Sequence, residues 1–389
     1  MIKLSVLNRT ILRLFALFLL MYTVCFMIGL GSDIFGYNFG SWTNISLFLL
    51  ESSMFFCILM NINKKISGFI ILWTLWILFN DIFISSGLLY IDLRETMLWP
   101  LCFTFAYYVC YNNNKSFEFL KNLMVIIMLI SSLLFYIISM GRNALVITNI
   151  SGLLVGVNYI YFPLLTLPWI LLVKKEKIKN LLLLLLLFLS ILSAKRSVVI
   201  IVVVVSVFYL LKSFKFNSRV KLLSSVLLLS ILFCGIYFII KKQNSHLEYI
   251  EHRFENIGES GGSGRTKIWS EVMYMISSSS FAEQIVGHGH NSVIKNRKGH
   301  KSAHNDFLEV LYDFGLIGFI MYIIFIVFLI KLYLKLKKRK SILSFSFFSS
   351  LVIFFVMSMV SALIIYPTFF IFLVLFWGAS YAKYNSIVE

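Results

Sequence analysis

Apolar runs of about twenty residues recur along this chain, separated mostly by short clusters of Lys and Arg. A run of that length in helical form spans the hydrocarbon core of a bilayer, and only helices or closed barrels satisfy every backbone polar group there. The runs are continuous and lack the alternation of apolar and polar residues that a barrel strand needs, so the chain reads as all-α. Composition agrees. Of its 389 residues 60% are hydrophobic and 13% are charged, with a mean hydropathy of +0.90. A soluble chain would carry about twice that charged fraction.

The expected spans cover roughly 11–30, 42–61, 66–87, 96–111, 120–140, 152–173, 178–194, 197–211, 222–240, 314–332, 342–364 and 366–382. The first follows Lys3, Arg9 and Arg13 and has no small-residue cleavage site. It therefore reads as a retained span rather than a signal peptide. With the N-terminus in the cytoplasm, every short inner connection holds a basic pair or cluster, except at the C-terminal end, where Lys383 stands alone. Short outer connections are nearly free of Lys and Arg, as the positive-inside rule requires. The predicted architecture is a polytopic membrane protein of about twelve transmembrane helices with both termini cytoplasmic. A membrane domain of nine spans covers 1–240, a loop with short amphipathic helices covers 241–313, and three further spans cover 314–389.

The net charge of +18 is confined to these connections. No basic stripe interleaves with stacking aromatics, which argues against nucleic acid as a partner. The five cysteines all lie in apolar runs without zinc spacing and read as buried thiols. Glu51 and Asp81 are acidic residues inside expected spans. Each reads either as a substrate contact or as a polar contact between helices.

One hairpin is unusually tight. The runs 178–194 and 197–211 are joined at Ser193-Ala194-Lys195-Arg196-Ser197. At about 1.5 Å per residue the pair reaches about 51 Å, short of two passes across a core of about 30 Å. Lys195 and Arg196 are thus expected below the outer headgroups. Lys195 suits snorkelling. For Arg196 two readings stand open, a snorkelling side chain or one facing a water-filled cavity.

The polar loop of about 70 residues is long for a connection, and such loops tend to carry function. After the glycine-rich turn 258–264, residues 265–276 read as an amphipathic helix with Ile268, Trp269, Val272 and Ile276 on one face. Arg265 stands in its first turn, either as part of an anion site or as a solvated surface residue. Four histidines follow within seventeen residues, His288, His290, His300 and His304. The loop holds no Cys and no HExxH arrangement, so no metal is expected. Asn305 is a good N-cap, Phe307, Leu308, Leu311 and Phe314 share one face, and Gly315 is a natural stop. This predicts a short helix lying on the outer leaflet with His304 at its N-terminal end. There His304 reads either as a neutral hydrogen-bonding group or base, or as a contributor to the cap.

His304-Asn305, nine residues, then Gly315-Leu316-Ile317-Gly318 resembles the H-[NSQ]-x9-G-x-x-G signature of the O-antigen ligase and polymerase superfamily. Gly264-Arg265 with Trp269, the Gly287-His288-Gly289 turn and Ser193-Ala194-Lys195-Arg196 are similar to further motifs of that family. The resemblance covers roughly 190–320. It implies a bacterial inner-membrane glycosyltransferase whose loop faces the periplasm. Donor and acceptor would be undecaprenyl-pyrophosphate-linked oligosaccharides, with membrane lipid and a chain-length regulator as further partners and no cofactor. His304, Arg265 and Arg196 are the implied catalytic residues. Arg142, Lys195, Asn305, Trp269 and His288 are the implied substrate contacts. The Gly-Arg helix and the Ser302–Glu309 run look more like polymerases than ligases. A repeat-unit flippase is the reading from another class, but the polarity here sits in one loop and not at a midplane.

Overall fold

The computed structural model of the chain describes residues 2–30, 39–61, 68–85, 89–146, 159–193, 195–213, 264–364 and 366–386. The expected span at 222–240, the segment 241–263, residues 152–158 and the side chain of Arg142 lie outside the described residues. Among those described, every regular element is a helix. Five are long and apolar enough to cross a membrane: Asn8–Gly29, Gly40–Met60, Asn114–Ser139, Asp306–Lys338 and Leu343–Val360. Gly68–Phe83 and Arg196–Tyr209 are shorter apolar helices. The chain is a multi-pass membrane protein.

Other helices fall where hydropathy placed spans: Leu89–Cys110, Glu176–Leu192 and Pro367–Asn385. The region expected as one span at 152–173 differs. Its described part forms two short helices, Tyr161–Leu165 and Leu167–Ile170, which meet at Thr166. Both are buried on all sides. Pro168 lacks an N–H and so cannot continue the ladder of the first piece, while Thr166 turns its hydroxyl back to donate to the Pro163 carbonyl.

Helix Pro367–Asn385 runs through the centre and packs along Leu89–Cys110. Gly378 makes that approach possible, because a Cβ there would meet the Phe103 carbonyl. Aromatic rings fill the space around it, with Trp73–Trp99, Trp99–Phe325 and Phe354–Trp377 centroids 5.6, 5.2 and 5.2 Å apart. Each such pair contributes about 0.5–1.5 kcal/mol beyond simple burial. The indole N–H of Trp377 donates to Ser350 Oγ at 2.8 Å, since an unmet donor at membrane depth is costly. Asp81 accepts from Thr96 Oγ1 at 2.6 Å and so links two helices, the structural one of its two readings.

Gly315 breaks the helix Asp306–Lys338 with φ +66 and ψ −171. The stop expected there is real. The short helix before it, however, does not lie on the leaflet. Asp306, Glu309, Val310, Tyr312, Asp313 and Phe314 are buried in protein. Its carboxylates explain the difference. Asp306 accepts from Ser358 Oγ at 2.6 Å, Asp313 from the Val293 N–H at 3.0 Å, and Glu309 from the Ala303 N–H. Such groups need fixed donors, and lipid provides none.

The glycine turn of the loop docks on this break. Gly287 has φ +87, and a Cβ on it would run into the backbone of Asp313 and Gly315. A Cβ on Gly315 would likewise strike the carbonyl of Ile285. Gly287→Ala or Gly315→Ala is expected to cost at least about 1–3 kcal/mol in backbone strain, with the steric clash added. In detergent, either variant should lose its monodisperse peak at a lower temperature than the parent. Gly264→Ala, at a glycine with no neighbour within 4 Å of its Cβ position, should show strain alone.

Candidate functional site

Between loop and spans, the positioning begins with the helix Arg265–Ser278. Its apolar face, centred on buried Val272 with Ile268, Met275 and Ile276, packs on Val293, Ala303 and Tyr312. This is the face that helical spacing picked out. One turn after Arg265, Trp269 donates its Nε1–H to the Ala303 carbonyl at 2.9 Å, and the Ala303 N–H donates to Glu309. Arg297 donates from Nε to Glu271 at 2.7 Å and from Nη1 to the Lys301 carbonyl at 2.7 Å. The strand-like stretch 301–303 is thereby held from two sides.

His304 follows with φ +53, in the left-handed region where non-glycine residues are uncommon. Asn305 then caps the next helix, accepting from the Phe307 and Leu308 N–H groups at 3.0 and 3.2 Å. The cap therefore belongs to Asn305. The His304 ring has Nδ1 3.3 Å from Ser302 Oγ and faces a cavity.

That cavity has a volume of about 390 Å³. Arg265, Ile268, Lys301 and His304 line it from the loop, Lys195 from the tight hairpin and Tyr161 from the first short buried helix. The opposite wall is the connection between the last two helices, with Met357, Ser361, Ala362, Leu363, Tyr366 and Phe369. Asp306 shapes that wall by accepting from the Leu363 and Ile364 N–H groups at 2.6 and 3.1 Å. Lys195 Nζ sits 4.8 Å from the Tyr161 ring centroid, and the Tyr161 hydroxyl lies 2.7 Å from Ser361 Oγ. Three cations and one imidazole face this space with no carboxylate among the lining residues. One side is apolar. The shape and charge suit an amphiphile with an anionic head.

Burial pushes the His304 pKa down to about 4, and Arg265, Lys195, Arg297 and Lys301 add to the effect. The imidazole is therefore neutral near pH 7 and free to accept a proton.

The structure brings Arg265, His304 and Lys195 together. Arg196 is half-buried at the start of the helix Arg196–Ser213 and is not part of the cavity lining. Trp269 and Asn305 hold backbone near His304. His288 stacks on Tyr312 at 4.0 Å, with Nε2 3.1 Å from Ser279 Oγ, and sits in the packing of the loop. Tyr161, Lys301, Ser361 and Tyr366 are cavity residues with no sequence signal of their own, since they come from three separate stretches. Lys301 stands three residues before His304 in the same loop.

A second polar cluster ties loop to spans. His290 Nε2 lies 3.1 Å from Glu95 Oε2, which also accepts from Asn291. Burial opposes charge on His290. The Glu95 hydrogen bond and the Asp313, Glu95 and Asp81 carboxylates outweigh it and raise the pKa.

The position of the His304 pKa is open to test. The kcat/KM for transfer, which reports the free protein, should hold down to about pH 5 and fall on an acid limb well below 6.5. Lys301→Gln removes a nearby positive charge, so the protonated imidazole is penalised less and the limb should move to higher pH. A limb at 6.5 in both proteins would show that His304 does not feel these cations.

No curated protein matches the chain. Residues 181–323 match the family model described as O-antigen ligase, a stretch that contains the Lys195–Arg196 hairpin, the Arg265 helix, His304 and the Gly315 break. Over that segment the match agrees with the resemblance to the O-antigen ligase and polymerase superfamily that the motifs of residues 190–320 carry.

Proposed function

We propose that the protein is a surface-polysaccharide polymerase of the bacterial inner membrane. On this reading the loop faces the periplasm and both termini face the cytoplasm. The donor is a glycan on undecaprenyl pyrophosphate, and the acceptor is a hydroxyl of the next lipid-linked repeat. The observation that supports the reading is the cavity itself, lined by Lys195, Arg265 and Lys301 together with apolar side chains and edged by a neutral imidazole.

The acceptor oxygen attacks the anomeric carbon of the donor while the bond from that carbon to the diphosphate oxygen breaks. The diphosphate leaves with the electron pair, and Arg265 and Lys195 offset its growing charge. Arg196, next to Lys195 in the chain, adds to the local positive potential. His304 takes the proton of the attacking hydroxyl. A bound diphosphate cancels part of the surrounding positive charge, which raises the basicity of the imidazole when the donor is in place. Attack opposite the leaving group inverts the anomeric centre.

Transfer of the finished glycan onto lipid A–core is the second reading, and the family match is common to both. Deleting the gene and resolving the cell's lipopolysaccharide on a gel separates the two. A polymerase leaves lipid A–core capped with a single repeat. A ligase leaves bare core while lipid-linked polymer accumulates. An unchanged ladder without accumulated intermediate would rule out both. Arg265→Ala and His304→Ala should each lower transfer by about 100-fold or more at normal protein level. Arg196→Ala should do the same. Full complementation by all three would overturn the assignment of the site.

A further inference from the structure

We infer that the short loop helix Phe281–Val286 is seated in the bilayer leaflet on its own side of the membrane, with Phe281 entering the boundary between headgroups and acyl chains. The helix is well defined at its start. Ser280 Oγ accepts from the Glu283 N–H at 3.3 Å, and Glu283 Oε2 accepts from the Ser280 N–H at 2.8 Å. Phe281, the next residue, is 79% exposed. A phenyl ring that open leaves apolar area for an apolar cover to bury.

The attachment of the helix shows what that cover is. Its far end is fixed to two apolar helices. Asn80 donates from Nδ2 to the Val286 carbonyl at 2.9 Å, and Gly287 rests on the backbone at Gly315. Beyond Gly315, Leu316 and Ile320 are exposed on the helix that continues across the membrane. On the other helix, Ile82 and Phe83 are exposed and lie past Asn80, towards the loop side. The apolar outer surface of that helix thus extends beyond the level at which Val286 is attached. Phe281 lies five residues from Val286, about 7.5 Å of helix rise. Whichever way the helix points, Phe281 therefore stays within about 7.5 Å of the level of Asn80. Exposed apolar side chains of the spanning helices reach that level, and lipid is the occupant we assign to the ring. The helix holds the segment 264–305 against the leaflet, which sets the cavity mouth near headgroup height.

The test uses the full chain reconstituted in phosphatidylglycerol–phosphatidylcholine vesicles, with p-benzoylphenylalanine placed at 281, at 320 or at 298. Position 320 is the lipid-facing control, and Lys298, exposed in the same loop, is the aqueous one. After illumination, intact-mass spectrometry should find phospholipid adducts at 281 and 320 and none at 298. A chain substituted at 281 that behaves like the one at 298 overturns the inference. So does a cross-link from 281 to a second copy of the chain. Neither result depends on transfer activity, so the seating of the helix and the proposed polymerase fail separately.

Discussion

Two backbone segments meet without side chains between them at Gly287 and Gly315, and the geometry of the site follows from that contact. Each glycine adopts a positive φ, and each occupies space that a Cβ on the other would need. The contact fixes the loop turn on the break in the helix Asp306–Lys338. From there the short helix 306–314 is directed inward, its carboxylates find donors, and the stretch leading to His304 is drawn over the spans. A membrane interior tolerates polar backbone and carboxylates only where protein satisfies them. Asp306, Glu309 and Asp313 each accept at least one protein hydrogen bond and so hold, respectively, the cavity wall, the residue before His304 and the loop helix Ser292–Asn296, while Glu309 Oε2 and Asp313 Oδ2 are buried without a donor.

The cavity is electrostatically one-sided. Lys195, Arg265 and Lys301 converge on it without a lining carboxylate. Like charges brought together repel, and the arrangement raises the energy of the empty site while favouring an anion of higher charge. Burial is the main cause that keeps His304 neutral, and the same field adds to it. The cations thus serve both charge clamping and base preparation. The apolar wall from Met357 to Phe369 supplies the complementary half, a surface for a hydrocarbon tail or the edge of a sugar ring.

Much of this was legible in the chain because it rests on local rules. Apolar run length located the helices, and helical spacing identified the Ile268–Val272–Ile276 face. Asn305 and Gly315 marked a helix start and a break through their own backbone chemistry. What escaped depends on distant partners. The turn at Ser193 decides that Lys195 lines the cavity and Arg196 does not, a one-residue difference that hydropathy does not register. Tyr161, Ser361 and Tyr366 reach the cavity through packing between helices far apart in the chain. The helix 306–314 looked interfacial because its apolar residues share a face, yet its carboxylates carry the stronger demand and bury it. Trp269 and His288 have binding-like chemistry, but both are committed to protein partners that lie 34 and 24 residues away.

The central claim is that this cavity receives the diphosphate of a lipid-linked glycan. An electron cryomicroscopy map of the protein in nanodiscs, saturated with a polyprenyl-diphosphate oligosaccharide, tests it directly. The account expects headgroup density between Lys195, Arg265 and Lys301, with His304 beside the first sugar and the lipid tail along the Met357–Phe369 wall. Density for the diphosphate elsewhere, with this cavity empty at saturation, would contradict it.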